Sequence, residues 1–385
     1  MKARILLLNC AAVTLGAYVG VAVRYWLTYV SKINIHNRST GDQRTTTGNE
    51  CGNESDDTSS DMLLSAPSIL TQLGAGFFLA NIVGSFLLGT LAVFAVSRCE
   101  NAWPIVKTGI CSGLCGSCTT FATWQLANTL NLVNWRLVTC LVQSLVTVAS
   151  SYCAFLVGRQ LSVSLTRITA DKNANASSTS DSSHQQAITV DIPLKGVVPA
   201  QTVSVTVSQT AYTPSTSALA GVAASTALVT IAIWLCAIVL RSETGKFSWA
   251  NCAVAMCFAP IGAVTRYLMS IGNRKWPNFP LFTFAANVLA SALGIALVIL
   301  GSYVQHSTDD SGGWYNRWVK IGLLTGGCGS LSTVSTWVQE LHKLSNDDKL
   351  HFAYIYGVTS VLVAQLVCVS LAVVGLFASE HVILM

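Results

Sequence analysis

The sequence predicts an all-α, polytopic membrane protein made of two inverted four-helix repeats, joined by one transmembrane helix, with about nine spans. Hydrophobic residues make up 52% of the 385 residues and charged residues only 10%, whereas soluble domains have about 25% charged residues. Apolar runs long enough to cross a bilayer follow one another in the order four, one, four. A polar, glycine-rich motif in the third run of the first group recurs in the second group.

The recurring motif predicts a broken third helix in each repeat. It covers residues 109–124 and returns at 322–337 with a constant shift of 213 positions. Its glycines each weaken a helix by about 1 kcal/mol relative to alanine. The identical positions are Gly109/Gly322, Gly113/Gly326, Cys115/Cys328, Gly116/Gly329, Ser117/Ser330, Thr120/Thr333, Thr123/Thr336 and Trp124/Trp337.

The first repeat is predicted over residues 1–160, with spans at 6–29, 69–96, 105–130 and 137–157 and a polar loop at 31–68. The first span resembles a signal peptide, but its Gly20-Val-Ala-Val-Arg24-Tyr25 pattern returns as Gly262-Ala-Val-Thr-Arg266-Tyr267. A cleaved leader has no reason to recur inside the mature chain, so we predict a retained helix.

The remaining chain is predicted as a disordered linker, an inverting helix and a second repeat. Residues 161–217 are polar and form the linker, and a short strand within 194–207 remains open. Residues 218–241 cross the membrane once, and the second repeat occupies 250–385 with spans at 252–271, 281–303, 318–342 and 352–377. A fifth span inverts the second copy, and a weak excess of Lys and Arg favours a cytoplasmic N-terminus.

Polar residues inside the spans are the candidates for function. Asn81 and its counterpart Asn287 predict a polar cavity or helix–helix contacts. Carbonyls freed at the breaks suit a small cation such as Na⁺, whereas the hydroxyl and amide donors suit an anion. Apart from residues near span ends, Arg24 and Arg266 are the only charges that we expect in the membrane, and we expect no Asp or Glu in the spans.

These features exclude several classes of function. The net charge of +5 forms no basic block, so nucleic-acid binding has no support. Most of the 13 cysteines lie in apolar runs and are interpreted as small packing residues. No phosphate-binding loop, zinc-protease motif or nucleophile–base set is present, which argues against an enzyme.

On these doubled motifs, the chain resembles the eukaryotic fluoride export proteins, two-domain relatives of the bacterial CrcB/Fluc fluoride channels. The resemblance implies a passive, fluoride-selective channel in the plasma membrane that gives fluoride resistance, monomeric because both repeats are in one chain. It also implies a structural, non-transported Na⁺ held by the main-chain carbonyls of Gly116, Thr119, Gly329 and Ser332, with Arg24 and Arg266 as structural arginines.

The same resemblance assigns a fluoride path, of which one copy is expected to be vestigial. The sequence departs from the bacterial pattern at three positions. Trp124 and Trp337 each replace a phenylalanine, and Val334 stands at the position equivalent to Phe121. The path residues implied by the resemblance are Asn81, Thr120, Phe121, Thr123, Asn287, Thr333 and Thr336. Ser144, on a hydroxyl face of the fourth span, and Ser360 complete the set of candidates.

Two questions stay open from the sequence alone. The alternative function is a coupled small-molecule exporter of the inverted-repeat type, which we would expect to carry an intramembrane carboxylate. Asn37, Asn53 and Asn175 begin Asn-x-Ser triplets, and either glycosylated or unmodified asparagines fit this pattern.

Overall fold

The computed structural model describes residues 2–43, 75–94, 103–177, 189–190, 203–204, 216–240, 247–307, 312–346 and 349–383. Within these ranges the fold is helical apart from one minimal pair of strands. The first repeat contains α1 (Lys2–Gln43), α2 (Ala75–Phe94), α3 (Trp103–Thr108), a first π-helix (Gly109–Cys115), α4 (Gly116–Cys118), α5 (Phe121–Val133) and α6 (Leu137–Ser177).

The connecting region and the second repeat follow in the same order. They contain β1 (Thr189–Val190), β2 (Val203–Ser204), α7 (Thr216–Val239), α8 (Trp249–Ile271), a 3₁₀ turn (Gly272–Lys275), α9 (Leu281–Ser307), α10 (Gly312–Trp314), a second π-helix (Tyr315–Cys328), α11 (Gly329–Leu331), α12 (Ser335–Asn346) and α13 (Leu350–Ile383). The described residues of the nine predicted spans are therefore helical apart from the breaks in the two third spans.

Six helices in the described residues are long and apolar enough to cross a membrane, which supports a polytopic membrane protein. A seventh apolar helix, Gly76–Leu91, is shorter. The third segment of each repeat is interrupted and so forms no single long helix. The six candidate spans are Ala3–Ser31, Leu137–Ile168, Leu219–Val239, Trp249–Lys275, Leu281–Val304 and Leu350–Gly375.

Two predicted polar segments begin later than expected. Helix α1 continues to Gln43, into the predicted loop at 31–68, and α6 continues to Ser177, into the predicted linker at 161–217. Polar residues do not end a helix by themselves, and residues 161–177 contain neither Gly nor Pro to break it. The remainder of the loop, including Asn53, and most of the linker lie outside the described residues.

Of residues 194–207, where the sequence leaves a short strand open, the structure describes only 203–204, which form β2. It pairs with β1 in antiparallel register, Thr189 with Ser204 and Val190 with Val203. A two-residue pair of this kind has no independent stability and contributes nothing to the helical core.

Glycines bring α1 against the first π-helix with the two backbones in contact. A Cβ on Gly16 or Gly20 would lie less than 3.0 Å from the carbonyl oxygens of Gly109 and Leu114, respectively. In the second copy, Gly262 is equally close to the carbonyl oxygen of Gly327. Small residues permit this approach in membranes, so the glycine spacing noted in the sequence is a packing device.

The two repeats are interlocked. Helix α1 packs against α8, its counterpart in the second copy. After the break, α5 crosses to α9 and α13 of the second copy, and α12 contacts α2 and α6 of the first copy. The core cluster accordingly mixes both halves, with Phe121 and Trp124 beside Val334 and Trp337.

We expect Gly20→Ala to destabilise the protein, because the added Cβ collides with backbone at an overpacking cost of about 1–3 kcal/mol. The matched control is Gly221→Ala on the exposed face of α7, where an added Cβ meets nothing within 4 Å. The control should be neutral or stabilising. Apparent unfolding temperatures of the purified variants test this, and equal values for the two would contradict it.

Candidate functional site at the two helix breaks

Each third helix is broken within the glycine-rich motif, as the sequence predicts. Thr119 (φ −87°, ψ 154°) and Thr120 (φ −144°, ψ 121°) are extended in the first copy. Ser332 (φ −86°, ψ 158°) is extended at the position equivalent to Thr119. Both breaks follow a π-helix, a wider winding that is often found at functional sites.

Each half-helix that follows a break is capped by a hydroxyl from the opposite copy. Thr119 Oγ1 accepts hydrogen bonds from the backbone N–H groups of Val334 and Ser335, each at 3.2 Å. Ser332 Oγ accepts from the backbone N–H groups of Phe121 at 3.2 Å and Ala122 at 3.0 Å. Because each contact has an equivalent in the other copy, an approximate twofold axis relates the two breaks.

The two asparagines clamp the extended backbone. Asn81 Oδ1 accepts from the N–H of Thr120 at 2.8 Å, and its Nδ2 donates to the carbonyl of Thr120 at 3.3 Å. Asn287 makes the same pair with Thr333, at 2.8 and 3.2 Å. These amides thus replace the peptide partners that the break removes.

Hydroxyl groups from both copies fill the space between the breaks. Thr119 Oγ1 lies 3.2 Å from Thr333 Oγ1 and 3.1 Å from Ser335 Oγ. Thr120 Oγ1 lies 3.3 Å from Ser332 Oγ. Thr120 also contacts Thr123, and Thr333 contacts Thr336. Four of the predicted path residues, Thr120, Thr123, Thr333 and Thr336, are therefore brought to one hydroxyl cluster. Within it Thr120 and Thr333 are buried, Thr336 is partly buried and Thr123 is exposed.

An aromatic cluster lies beside the hydroxyls. Phe121 is fully buried, and its ring meets Trp124 and Trp337 edge-on at centroid distances of 5.1 and 5.8 Å. Val334 occupies the equivalent of Phe121 and is also buried. The indole Nε1 atoms of Trp124 and Trp337 are buried and have no hydrogen-bond partner among the described residues.

Polar side chains continue along α5 away from the break. Gln125, Asn128 and Thr129 are buried, and neither amide atom of Gln125 has a partner in the described part of the chain. Asn128 donates to Ser144 Oγ at 2.8 Å, which places Ser144 on this row. The equivalent positions on α12 carry Val338, Leu341 and His342, so the two half-helices differ in polarity.

Ser360 is not brought to the break. It is buried on α13, and its hydroxyl donates to the carbonyl of Tyr356 at 2.6 Å, one turn earlier in the same helix. Serine hydroxyls commonly bond to the preceding turn in this way.

The two arginines reach across to the opposite copy. Arg266 Nη1 donates to the carbonyl of Gly116 at 2.6 Å, and its Nη2 donates to the carbonyl of Ser112. Arg24 Nη2 donates to the carbonyl of Thr325, the counterpart of Ser112. Both side chains are 4% exposed.

The carbonyls predicted to hold Na⁺ are not all available to a metal ion. Of the four, the carbonyl of Gly116 accepts from Arg266 at 2.6 Å and that of Ser332 accepts from the same nitrogen at 3.2 Å. A guanidinium already donates to two of these oxygens, and its positive charge disfavours a second cation beside it in a medium of low dielectric. The residues present therefore do not fit the ion as the arrangement stands.

A carboxylate lies within a predicted span, contrary to the expectation that the spans hold no Asp or Glu. Glu340, on α12, is partly buried and accepts from Tyr356 Oη at 2.6 Å and Thr283 Oγ1 at 2.7 Å. Its counterpart by the repeat shift is Ala127. Glu340 was overlooked because it lies two residues before the end of the predicted span at 318–342. Its hydrogen bonds make its burial tolerable.

Residues without a matched counterpart were missed from the sequence. Ser335, whose counterpart is Ala122, joins the hydroxyl cluster, and Gln125, whose counterpart is Val338, lies on the polar row of α5. Identity between copies was the signal used, so it could not mark positions that differ. Polarity on one copy only would have found both.

We expect Asn81→Leu to lower the free energy of unfolding substantially, because it leaves the N–H and carbonyl of Thr120 without their partner. Each buried unsatisfied group costs about 1–3 kcal/mol. Asn134→Ala is the control, since Asn134 makes one exposed bond to its own helix. A control that destabilises as much as Asn81→Leu in thermal unfolding would disprove the clamp.

Comparison with known proteins agrees with this architecture. The family model described as CrcB-like protein, Camphor Resistance (CrcB), matches residues 11–159 and 253–375, one region in each repeat. No solved structure matches the chain significantly.

Individual relatives match over shorter stretches. Fluoride export protein 1 of Neurospora crassa is 37% identical over 139 residues, 33% of this chain and 24% of that protein. Fluoride export protein 1 of Candida albicans is 40% identical over 119 residues, 30% of each. The chain thus spans less than a third of these fungal relatives. Fluoride-specific ion channel FluC 1 of Staphylococcus epidermidis is 34% identical over 110 residues, 28% of this chain and 82% of that protein.

The family model covers more than half of the chain, and its two matched regions contain the two helix breaks with their caps and clamps. The chain therefore belongs to the CrcB-like family.

Proposed function

We propose that this protein is a passive, fluoride-selective channel that exports fluoride from the cytoplasm. One observation carries the proposal: the centre of the molecule is electropositive. Two buried guanidinium groups, Arg24 and Arg266, lie at the breaks, and the N-termini of the half-helices α5 and α12 begin there. Helix N-termini favour negative charge, so the site suits an anion better than a cation.

The names of the relatives supply the identity of the anion. The matched fungal proteins are named fluoride export proteins, and the matched bacterial protein is named a fluoride-specific ion channel. Fluoride is small and strongly hydrated, so a selective site must replace its water with hydrogen-bond donors. Hydroxyls at the breaks and the two indole N–H groups are such donors.

We place the conducting path along α5. Its buried row of Gln125, Asn128 and Thr129 continues from the hydroxyl cluster, and Gln125 has no partner in the described residues. An unpaired buried amide is costly unless water or an ion reaches it. Since α12 carries Val338 and Leu341 at the corresponding positions, the second path is the vestigial one in this proposal.

Export needs no energy source in this mechanism. Hydrogen fluoride is neutral, crosses the bilayer and ionises at cytosolic pH, which traps the anion inside. The membrane potential then drives the anion outward, with about 2.3 kcal/mol per charge per 100 mV. We further propose a plasma-membrane location, a cytoplasmic N-terminus and an inverted second repeat. We also propose a monomer, because one chain provides both copies of the break.

A coupled exporter is the second candidate, and Glu340 is the observation that favours it. A partly buried carboxylate that contacts Tyr356 and Thr283 could carry a proton during transport. The two candidates differ in their driving force: a channel needs only the membrane potential, whereas a proton-coupled exporter needs a pH gradient.

Efflux from proteoliposomes tests the proposal directly. With the purified full-length protein, a K⁺ diffusion potential and no pH gradient, we expect fluoride efflux and no chloride efflux. Efflux that requires a pH gradient, and loses that requirement in Glu340→Gln, would establish the coupled exporter instead. Absence of fluoride efflux under both conditions would reject the fluoride channel.

We also expect Trp337→Phe and Trp124→Phe to reduce fluoride efflux, together by about tenfold or more, because they remove buried N–H donors while an aromatic ring, smaller than the indole, stays at each position. A single hydrogen bond to a charged group contributes about 1.5–3 kcal/mol. Trp135→Phe is the control, since Trp135 is 88% exposed in a loop. Unchanged efflux in the double variant would remove the indoles from the path.

A further inference from the structure

The carbonyl oxygens at the axis already have a positively charged partner. Arg266 bonds to Ser112 and Gly116 of the first copy and to Ser332 at the break of the second copy. One guanidinium therefore joins both broken helices. Its planar group carries five donors in a fixed fork, so it can contact several carbonyls at once without the geometry of a metal ion.

The backbone is shaped to admit this guanidinium. A Cβ on Gly116 would lie 2.6 Å from Cζ of Arg266, so any residue other than glycine would displace the arginine. Gly329 stands in the same relation to Arg24, with a Cβ only 2.7 Å from its Nη1. The repeated glycines therefore form two cradles, one for each arginine.

The two arginines are used unequally. Arg266 contacts three carbonyls. Arg24 contacts one carbonyl, that of Thr325, and its Nη1 is buried without a partner among the described residues. None of these bonds within the described chain is to a carboxylate. A metal cation placed between the same carbonyls would add a third positive charge in a medium of low dielectric, where like charges repel strongly.

We propose that the guanidinium of Arg266, and not Na⁺, is the cation that binds the freed carbonyls at the axis, so that the protein folds and stays folded without sodium. This inference concerns the stability of the fold and does not depend on which ion the protein transports. It gives the second copy's arginine a role that Arg24 does not share.

Sodium dependence of unfolding tests this on the wild-type protein. The full-length protein in detergent is heated in NaCl, KCl or N-methylglucamine chloride at equal ionic strength. We expect the same apparent unfolding temperature in all three salts. A saturable rise in NaCl that KCl does not reproduce would overturn the proposal.

Matched variants give a second readout. We expect Arg266→Gln to lower the unfolding temperature by about 4 °C or more beyond the effect of Arg24→Gln, because it loses charged bonds to three carbonyls and not one. Arg266→Gln should also gain a sodium-dependent rise, since the carbonyls become available to the ion. Equal losses in both variants, with no response to sodium, would contradict the proposal.

Two glycine variants test the proposal if Arg266→Gln does not fold. Gly116→Ala crowds Arg266 and Gly329→Ala crowds Arg24, while both arginines keep their charge. We expect Gly116→Ala to be the more destabilising of the two in N-methylglucamine chloride. The reverse order would show that Arg24 has the larger role.

Discussion

The architecture depends on the exchange of hydroxyl caps between the two copies. A helix broken inside a membrane leaves N–H groups that no water or lipid can satisfy. Here the N–H groups of α5 are capped by Ser332 and those of α12 by Thr119. Each half-helix is therefore complete only when the other copy is in place. Close backbone packing at Gly20 and Gly262 holds the first helix of each copy against the broken helix of the same copy.

The two copies share these structural elements but differ in other side chains. The caps, the asparagine clamps and the glycine cradles occur in both copies. Other side chains differ between equivalent positions: Phe121 corresponds to Val334, Gln125 to Val338 and Glu340 to Ala127. This combination fits one working path and one vestigial path. Both copies must keep the caps, clamps and cradles for the fold, whereas only one copy needs the side chains of a path.

Much of the fold could be predicted because two simple physical signals are strong. Long apolar runs mark helices in a membrane, and an exact recurrence of Gly, Thr and Trp marks the break. The helix ends were harder, since α1 and α6 continue through polar residues that lack a breaking residue near the membrane boundary. The roles of Asn81 and Thr119 could not be predicted, because their partners are backbone atoms and residues of the opposite copy, which no local pattern indicates.

The most direct test of the account is amide hydrogen exchange at the two half-helix N-termini. In Ser332→Ala, exchange should rise at Phe121 and Ala122, in the other copy, by a factor of about 2–30, the equivalent of a lost helix cap. In Thr119→Ala, the rise should move to Val334 and Ser335. Faster exchange confined to the copy that carries the substitution would contradict the reciprocal caps and, with them, the interlocked centre.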